Sequence, residues 1–402
     1  MILFPERQRE LAKAKRTPAN RDQLLICFSH LRWDFVFQRP QHLMTRFARH
    51  YRVVFFEEPV ERDGLAAPAL ERRLTSGGVE VATPLLSRGM APEDRLAALS
   101  GLVDALVAEE GQPAIAWYYT PMMLAFSAHL DAACVVYDCM DELANFRFAP
   151  ADLLSLEQKL FDRADVVFTG GYSLYEVKRQ RHGNVHPFPS SVDRAHFMKA
   201  RAAHREEPAD QAPIPGPRFG FYGVIDERFD IALLGAVAEA RPEWSFVMLG
   251  PVVKISEDEL PRRANIHYLG SKTYEELPAY LGGWDVAIMP FAMNAATRFI
   301  SPTKTPEYLA GGKPVVSTPI TDVKRHYGDI VGVRIARTAE QFVAACEAAL
   351  VLASEPEAWL PEVDLLMSSQ SWDTTQARMD GLIARVLDEA ADRRVESRAM
   401  AL

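Results

Sequence analysis

Lys304 and Glu307 stand three residues apart within Arg298–Thr318, a stretch that reads as a loop, a short helix, a glycine stop and a buried strand. Ser301 or Thr305 can cap that helix, with Pro302 or Pro306 just inside it, and Gly311-Gly312 ends it. Free amides around Pro302, Thr303 and Lys304, together with the positive helix end, suit an anion. Arg298 and Lys304 add fixed positive charge there. Glu307 is an acceptor-only carboxylate, the kind of group that holds two neighbouring hydroxyls. Phosphate donors and a diol acceptor this close together suggest a nucleotide-sugar site. The plain alternative is a solvated Lys304–Glu307 pair on a helix packed against a strand.

A second group of chemistry-bearing residues is Tyr137-Asp138-Cys139-Met140-Asp141-Glu142, which follows an apolar run. Its acids therefore sit at the carboxyl end of a strand, where doubly wound sheets place ligands. Burial beside Tyr137 and mutual repulsion should raise the pKa of at least one of them. Capping of a following helix is the ordinary use for such aspartates. Gly223 occupies a third position, a strand-to-helix turn at Gly220–Asp230, where a residue without a side chain lets the backbone approach a phosphate. The turn is no GxGxxG fingerprint, so no nicotinamide cofactor is expected.

Pro302-x-Lys304-x-x-Glu307-Tyr308-Leu309-Ala310-x-Gly312-Lys313-Pro314-Val315-Val316 resembles the nucleotide-sugar motif of GT-B glycosyltransferases, those of family 4 and its relatives. The resemblance implies that Glu307 binds the nucleotide's ribose, and that Lys304 and the loop Ser301-Pro302-Thr303 hold the diphosphate. Trp33-Asp34 with Gln38-Arg39-Pro40-Gln41-His42 resembles the opening of teichuronic-acid-type glycosyltransferases, in which this loop borders the interdomain cleft. His30, Trp33 and Arg39 are the acceptor-side residues it implies. An inverting sugar transfer needs one carboxylate as general base on the acceptor hydroxyl. Asp138, nearest the strand, is the first choice and Asp141 the second.

Two departures matter. Val224 and Phe229 stand where relatives commonly carry an arginine and a lysine, which shifts diphosphate binding to Arg228, Arg298 and Lys304. Phe299 stands where family 4 often has a first glutamate, associated with the donor sugar in retaining enzymes. The pairing of Lys304 with Asp138 is similar to the xanthan-type glucuronosyltransferases of the same fold. Retention or inversion stays open, as does a catalytically weakened relative.

The elements that position these residues alternate. Strand-like runs at Gln23–Ser29, Arg52–Glu57, Val79–Thr83, Ala114–Tyr119, Cys134–Asp138, Val166–Thr169 and Val185–Pro189 are mostly separated by helical patterns. The alternation restarts at Arg218–Val224 and continues through Ser245–Leu249, Asn265–Leu269, Asp285–Pro290 and Pro314–Thr318. Such a pattern implies α/β domains with parallel sheets covered on both faces. The expected organisation is a polar arm at 1–22, a first Rossmann-like domain at 23–198, a charged and proline-rich linker at 199–217, and a second such domain at 218–370. A C-terminal helix and tail at 371–402 follow, and the resemblance implies that this helix crosses back to the first domain across the cleft.

At 402 residues the chain has length for about two or three domains, and its net charge of -9 argues against broad nucleic-acid binding. The four cysteines show no metal spacing, and three of them, in apolar runs, read as small core residues of a reducing compartment. No Asp-x-Asp triad stands out, so no metal and no cofactor are expected; the nucleotide sugar is a substrate. No apolar run reaches spanning length and the N-terminus has no signal-peptide core. A cytoplasmic protein is expected, with a weak contact of its basic arm with anionic lipid left open. The reading is a glycosyltransferase that moves a sugar from a uridine diphosphate donor to a saccharide or lipid-linked glycan. A nucleotide-sugar epimerase or hydrolase, or an inactive sugar-nucleotide-binding relative, is the alternative.

Overall fold

The structure is a computed structural model that describes residues 23–202 and 206–400, with side chains as far as residue 393. The polar arm at 1–22 lies outside the described residues. Two sheets are formed. The first holds β1 (Leu24–Phe28), β2 (Arg52–Phe56), β3 (Val60–Arg62), β4 (Ala69–Leu74), β5 (Val79–Ser87), β6 (Ile115–Tyr118), β7 (Cys134–Cys139), β8 (Val166–Thr169) and β9 (Val185–Pro187). Its order is β3-β5-β2-β1-β6-β7-β8-β9, parallel throughout except that β4 runs antiparallel on β5.

The apolar runs follow from burial on both faces. Leu24, Ile26 and Phe28 enter one core cluster, whereas Leu25 and Cys27 enter another on the opposite face. A two-residue period in an all-apolar strand has this outcome when both faces are covered. One cover comes from far along the chain. Trp372, Met379, Leu382, Ile383 and Val386 of the C-terminal helix, Trp372–Met400, complete the core cluster under Leu25. Asp373 of that helix pairs with Arg49 at 2.7 Å, and Asp380 accepts a 2.7 Å hydrogen bond from the Tyr51 hydroxyl. The C-terminal helix thus crosses back onto the first domain.

The second sheet holds β10 (Arg218–Tyr222), β11 (Ser245–Leu249), β12 (Ile266–Tyr268), β13 (Val286–Met289), β14 (Val315–Ser317) and β15 (Val333–Ile335) in the order β12-β11-β10-β13-β14-β15. The order reverses between β10 and β13, and in the first sheet between β1 and β6. Ligands of open parallel sheets lie at the carboxyl ends of strands at such switch points. Both switch points open towards one cleft.

Three features depart from the sequence expectation. β3 and β4 form a charged edge (Ala69–Leu74 reads ALERRL) that carries no apolar alternation to announce it; charge on an edge strand discourages pairing with other chains. The stretch expected as a linker is mostly exposed among its described residues but is pinned to the second domain at Ala200, Gln211 and Ile214. Val192, Phe197, Ala200 and Ile214 belong to the core of the second domain, so the chain enters that domain soon after Phe188, well before residue 218. Gln211 is fully buried there, donating to the Tyr280 carbonyl at 3.0 Å and accepting from Trp284 Nε1 at 2.9 Å. One apolar residue and one bonded amide anchor a segment that has no period. The helix Lys304–Ala310 begins later than Ser301 and is capped by Thr303 through its backbone alone, with Gly311 at its end and Gly312 at a φ of 77°. Thr305 cannot cap it, because its hydroxyl faces inward to Met289 Sδ at 3.2 Å.

Candidate active site

Between the two sheets lies a cavity of about 650 Å³. The second domain supplies most of its floor. β10 delivers Tyr222 and Gly223, β11 delivers Leu249, Gly250 and Pro251, and the helix after β13 delivers Lys304 and Glu307. Two glycines make this convergence possible. A Cβ on Gly223 (φ 142°) would stand 2.3 Å from Lys304 Cε, and one on Gly250 (φ 136°) would stand 1.9 Å from the Gly223 carbonyl oxygen. The lysine stem therefore runs over bare backbone.

Glu307 is only 5% exposed, and its carboxylate accepts a 2.9 Å hydrogen bond from the Tyr222 hydroxyl. Burial pushes its pKa up, opposed by Lys304 and by the bond from Tyr222. Burial lowers the Lys304 ammonium to about 8, with Glu307 opposing the fall. Its Nζ stands over the Phe221 ring, 5.7 Å from the centroid. A bound anion would restore the charge that burial disfavours. Arg228 lines the same cavity, oriented by Asp226 through bonds of 2.7, 2.9 and 3.1 Å. Ser301, Pro302 and Thr303 line it as well.

Arg298 does not. It is exposed, and its guanidinium lies over the Phe299 ring, 5.0 Å from the centroid. Phe299, where a glutamate was looked for, packs against a core cluster of the first domain. Phe229 is likewise core, 5.0 Å from Phe221 ring to ring.

From the first domain come Trp33 to Arg39, Met140, Asp141 and Gly170, and from the crossing between the domains Ser190. Of the two aspartates considered, only Asp141 lines the cavity. Its pKa rises to about 6, chiefly through burial; Arg228 opposes the rise and Asp226 adds to it. Asp138 has no exposed surface and is held by Arg39 in bonds of 2.8, 2.9 and 3.2 Å. Arg39 also donates to the Phe188 carbonyl at 2.7 Å. This pair ties β7 to the helix Arg39–Phe47 and leaves Asp141, of the two, on the cavity wall. Burial pushes the Asp138 pKa up against the opposing Arg39 pair, but the carboxylate has no exposed surface from which to meet a substrate. Trp33 is fixed by its backbone amide on Glu57 at 2.8 Å and by the Phe55 ring at 5.0 Å. His30 is off the cavity lining; its Nδ1 is buried without a partner among the described residues, and burial with Lys254 nearby lowers its pKa to about 4.

Sequence reasoning missed Tyr222, whose hydroxyl reaches Glu307, and Tyr274, whose ring is stacked between Phe37 at 4.5 Å and His196 at 4.2 Å on the cavity wall. Neither position carries a local signal, since both act through partners distant in the chain. Among the described residues no group of His, Cys, Asp and Glu is arranged to hold a metal ion.

The family model "Glycosyl transferases group 1" matches residues 216–351. The second domain is a group 1 glycosyl transferase domain, and the chain is a glycosyltransferase. It is 28% identical over 274 residues to the putative teichuronic acid biosynthesis glycosyltransferase TuaH of Bacillus subtilis, a match covering 63% of this chain and 68% of that protein. Among solved structures, the transferase superposes on sucrose-phosphate synthase from Thermosynechococcus elongatus with a TM-score of 0.60 at 13% identity, covering 94% of this chain and all of the other. A trehalose-6-phosphate protein from E. coli bound with UDP-2-fluoro glucose gives 0.61 at 13% identity, covering 91% and 99%. A glycosyltransferase from Rickettsia africae gives 0.63 at 10% identity, covering 91% and 98%. These neighbours share the GT-B fold, two parallel-sheet domains about a cleft.

Proposed function

We propose that this glycosyltransferase moves a sugar from a uridine diphosphate sugar to a saccharide or lipid-linked glycan acceptor in the synthesis of a surface polysaccharide. The observation that carries the reading is Glu307, a buried carboxylate on the cavity wall with Lys304 one helical turn before it. Glu307 accepts from both ribose hydroxyls, while Lys304, Arg228 and the Ser301–Thr303 backbone meet the diphosphate. Charge that develops on the leaving phosphate falls beside two cations in a site shielded from water, where fixed charges act most strongly. Asp141, facing the cavity from the first domain, takes the proton from the acceptor hydroxyl as it attacks the anomeric carbon. The aromatic wall of Trp33, Phe35 and Phe37 suits the apolar face of an acceptor sugar ring. The uridine donor is favoured by the fold neighbour bound with UDP-2-fluoro glucose, and the glycan acceptor by the name of the Bacillus relative.

No helix among the described residues is long and apolar enough to cross a membrane. A lipid-linked acceptor would be met at the membrane surface. The test is incubation with UDP-glucose, UDP-galactose, UDP-N-acetylglucosamine and UDP-glucuronic acid, each with and without a glycan acceptor mixture. Acceptor-stimulated release of UDP from one donor is expected. Chemistry at the sugar without release points to an epimerase, and binding without turnover to an inactive relative.

A further inference from the structure

The loop that precedes helix Lys304–Ala310 is gripped from outside its own domain. Ser190, on the crossing that leaves the first core at Phe188 and enters the second at Val192, donates its hydroxyl to the Ser301 carbonyl at 2.6 Å. Gly171, at the end of β8, sits so close that a Cβ there would stand 2.9 Å from Ser301 Cβ and 2.1 Å from Asp322 Oδ2. Asp322 in turn reaches across from the second domain. Its Oδ1 accepts from the Ser173 amide at 3.1 Å, so a second-domain carboxylate caps the first-domain helix Tyr172–Lys178. Around this core of contacts, Arg325 pairs with Glu176 at 2.9 Å and the His326 ring lies 4.8 Å from Tyr172.

Ser190 lines the cavity, but its one hydroxyl proton is committed to Ser301. A phosphate oxygen needs a donor, so the hydroxyl cannot serve the ligand and hold the loop together. Gly171 and Asp322 are absent from the cavity lining altogether. Their influence on a bound donor must pass through Ser301.

We propose that Ser190, Gly171 and Asp322 are positioning residues that clamp the Ser301–Lys304 loop in the shape that receives the donor's diphosphate. The inference rests on the donor reading given above. It makes the phosphate side of the donor site a joint product of both domains, whereas the ribose side at Glu307 and Tyr222 belongs to the second alone. Loss of the clamp should therefore weaken a nucleoside diphosphate and spare the nucleoside.

The experiment is calorimetric titration of uridine and of UDP into the full chain and its variants. Ser190→Ala and Gly171→Ala should each weaken UDP by about five- to tenfold, the equivalent of one or two ordinary hydrogen bonds, and leave uridine unchanged. Ser190→Thr, which keeps the hydroxyl, should bind UDP as the wild type does. Gly171 has an extended backbone, φ -166°, so alanine there is opposed by Asp322 and Ser301 rather than by its own backbone conformation. The clamp is overturned if both alanine variants bind UDP normally, or if uridine and UDP weaken by one common factor. Glu307→Ala, titrated in parallel, separates the two claims. If it weakens both ligands while the clamp variants bind normally, only the clamp fails. If it alters neither, or if the wild type binds no UDP, the donor reading fails with it.

Discussion

Glu307 and Asp138 are both buried carboxylates at the carboxyl end of a parallel sheet or just beyond it, yet they meet opposite surroundings. Asp138 faces Arg39, which fills both of its oxygens. Glu307 faces a neutral phenol, a lysine whose own charge is disfavoured by burial, and an open cavity. Burial with a complete partner makes a brace, whereas burial with unfilled acceptor capacity makes a binding group. Asp141 falls with Glu307 in this contrast. Burial raises the pKa of both aspartates, but only the Asp141 carboxyl lines the cavity.

The largest test of the contrast is the pair Asp141→Asn and Asp138→Asn. Replacing Asp141 should lower turnover by roughly two to four orders of magnitude with UDP affinity little changed, as for loss of a general base. Replacing Asp138 should act on melting instead, with turnover per folded molecule nearly intact. If Asp138→Asn abolishes turnover in a protein that melts normally, the assignment of the two roles is inverted. Next in size, Arg39→Leu leaves Asp138 buried and unpaired, which should cost about 3–5 kcal/mol in denaturant unfolding. An unchanged midpoint would show that the pair is no brace.

Two pH effects sharpen the same picture. A base must be ionised, and the Asp141 pKa is raised to about 6, so turnover should fall as pH drops through that value and hold above it. The Lys304 ammonium is lowered to about 8, so it is charged below that pH and loses its charge above it. UDP affinity should accordingly decline as pH rises through about 8, while uridine affinity stays level; equal declines would contradict the role given to Lys304. The smallest expected effect belongs to Gly223→Ala. The added Cβ must push Lys304 aside, weakening UDP about fivefold, near the worth of one hydrogen bond, and sparing uridine.

Much of this contrast was readable from local sequence. The Lys304–Glu307 spacing, the glycine stop and the apolar run after it are all features of one short segment, and the alternation of strands announced two parallel sheets. Which of Asp138 and Asp141 faces the cavity was not readable. That is decided by Arg39, separated from Asp138 by 99 residues and brought beside it only by the pairing of β1 with β6 and of β6 with β7. Arg298 was misplaced for a related reason. Charge and proximity in sequence suggested the phosphate loop, but the preceding turn aims its side chain at solvent and Phe299. The pinned segment around Gln211 was hidden because its anchors, Tyr280 and Trp284, lie about 70 residues on.

The most direct test of the central claim is titration of uridine and UDP into the wild type, Glu307→Ala and Lys304→Ala. Charge-assisted hydrogen bonds are each worth on the order of 1.5–3 kcal/mol, so Glu307→Ala should weaken both ligands by roughly ten- to a hundredfold. Lys304→Ala should weaken UDP far more than uridine, because only UDP carries the charge it meets. If neither substitution alters the affinity for UDP, Glu307 and Lys304 are no donor site, and the segment from Ser301 to Thr318 is only a helix packed on a strand.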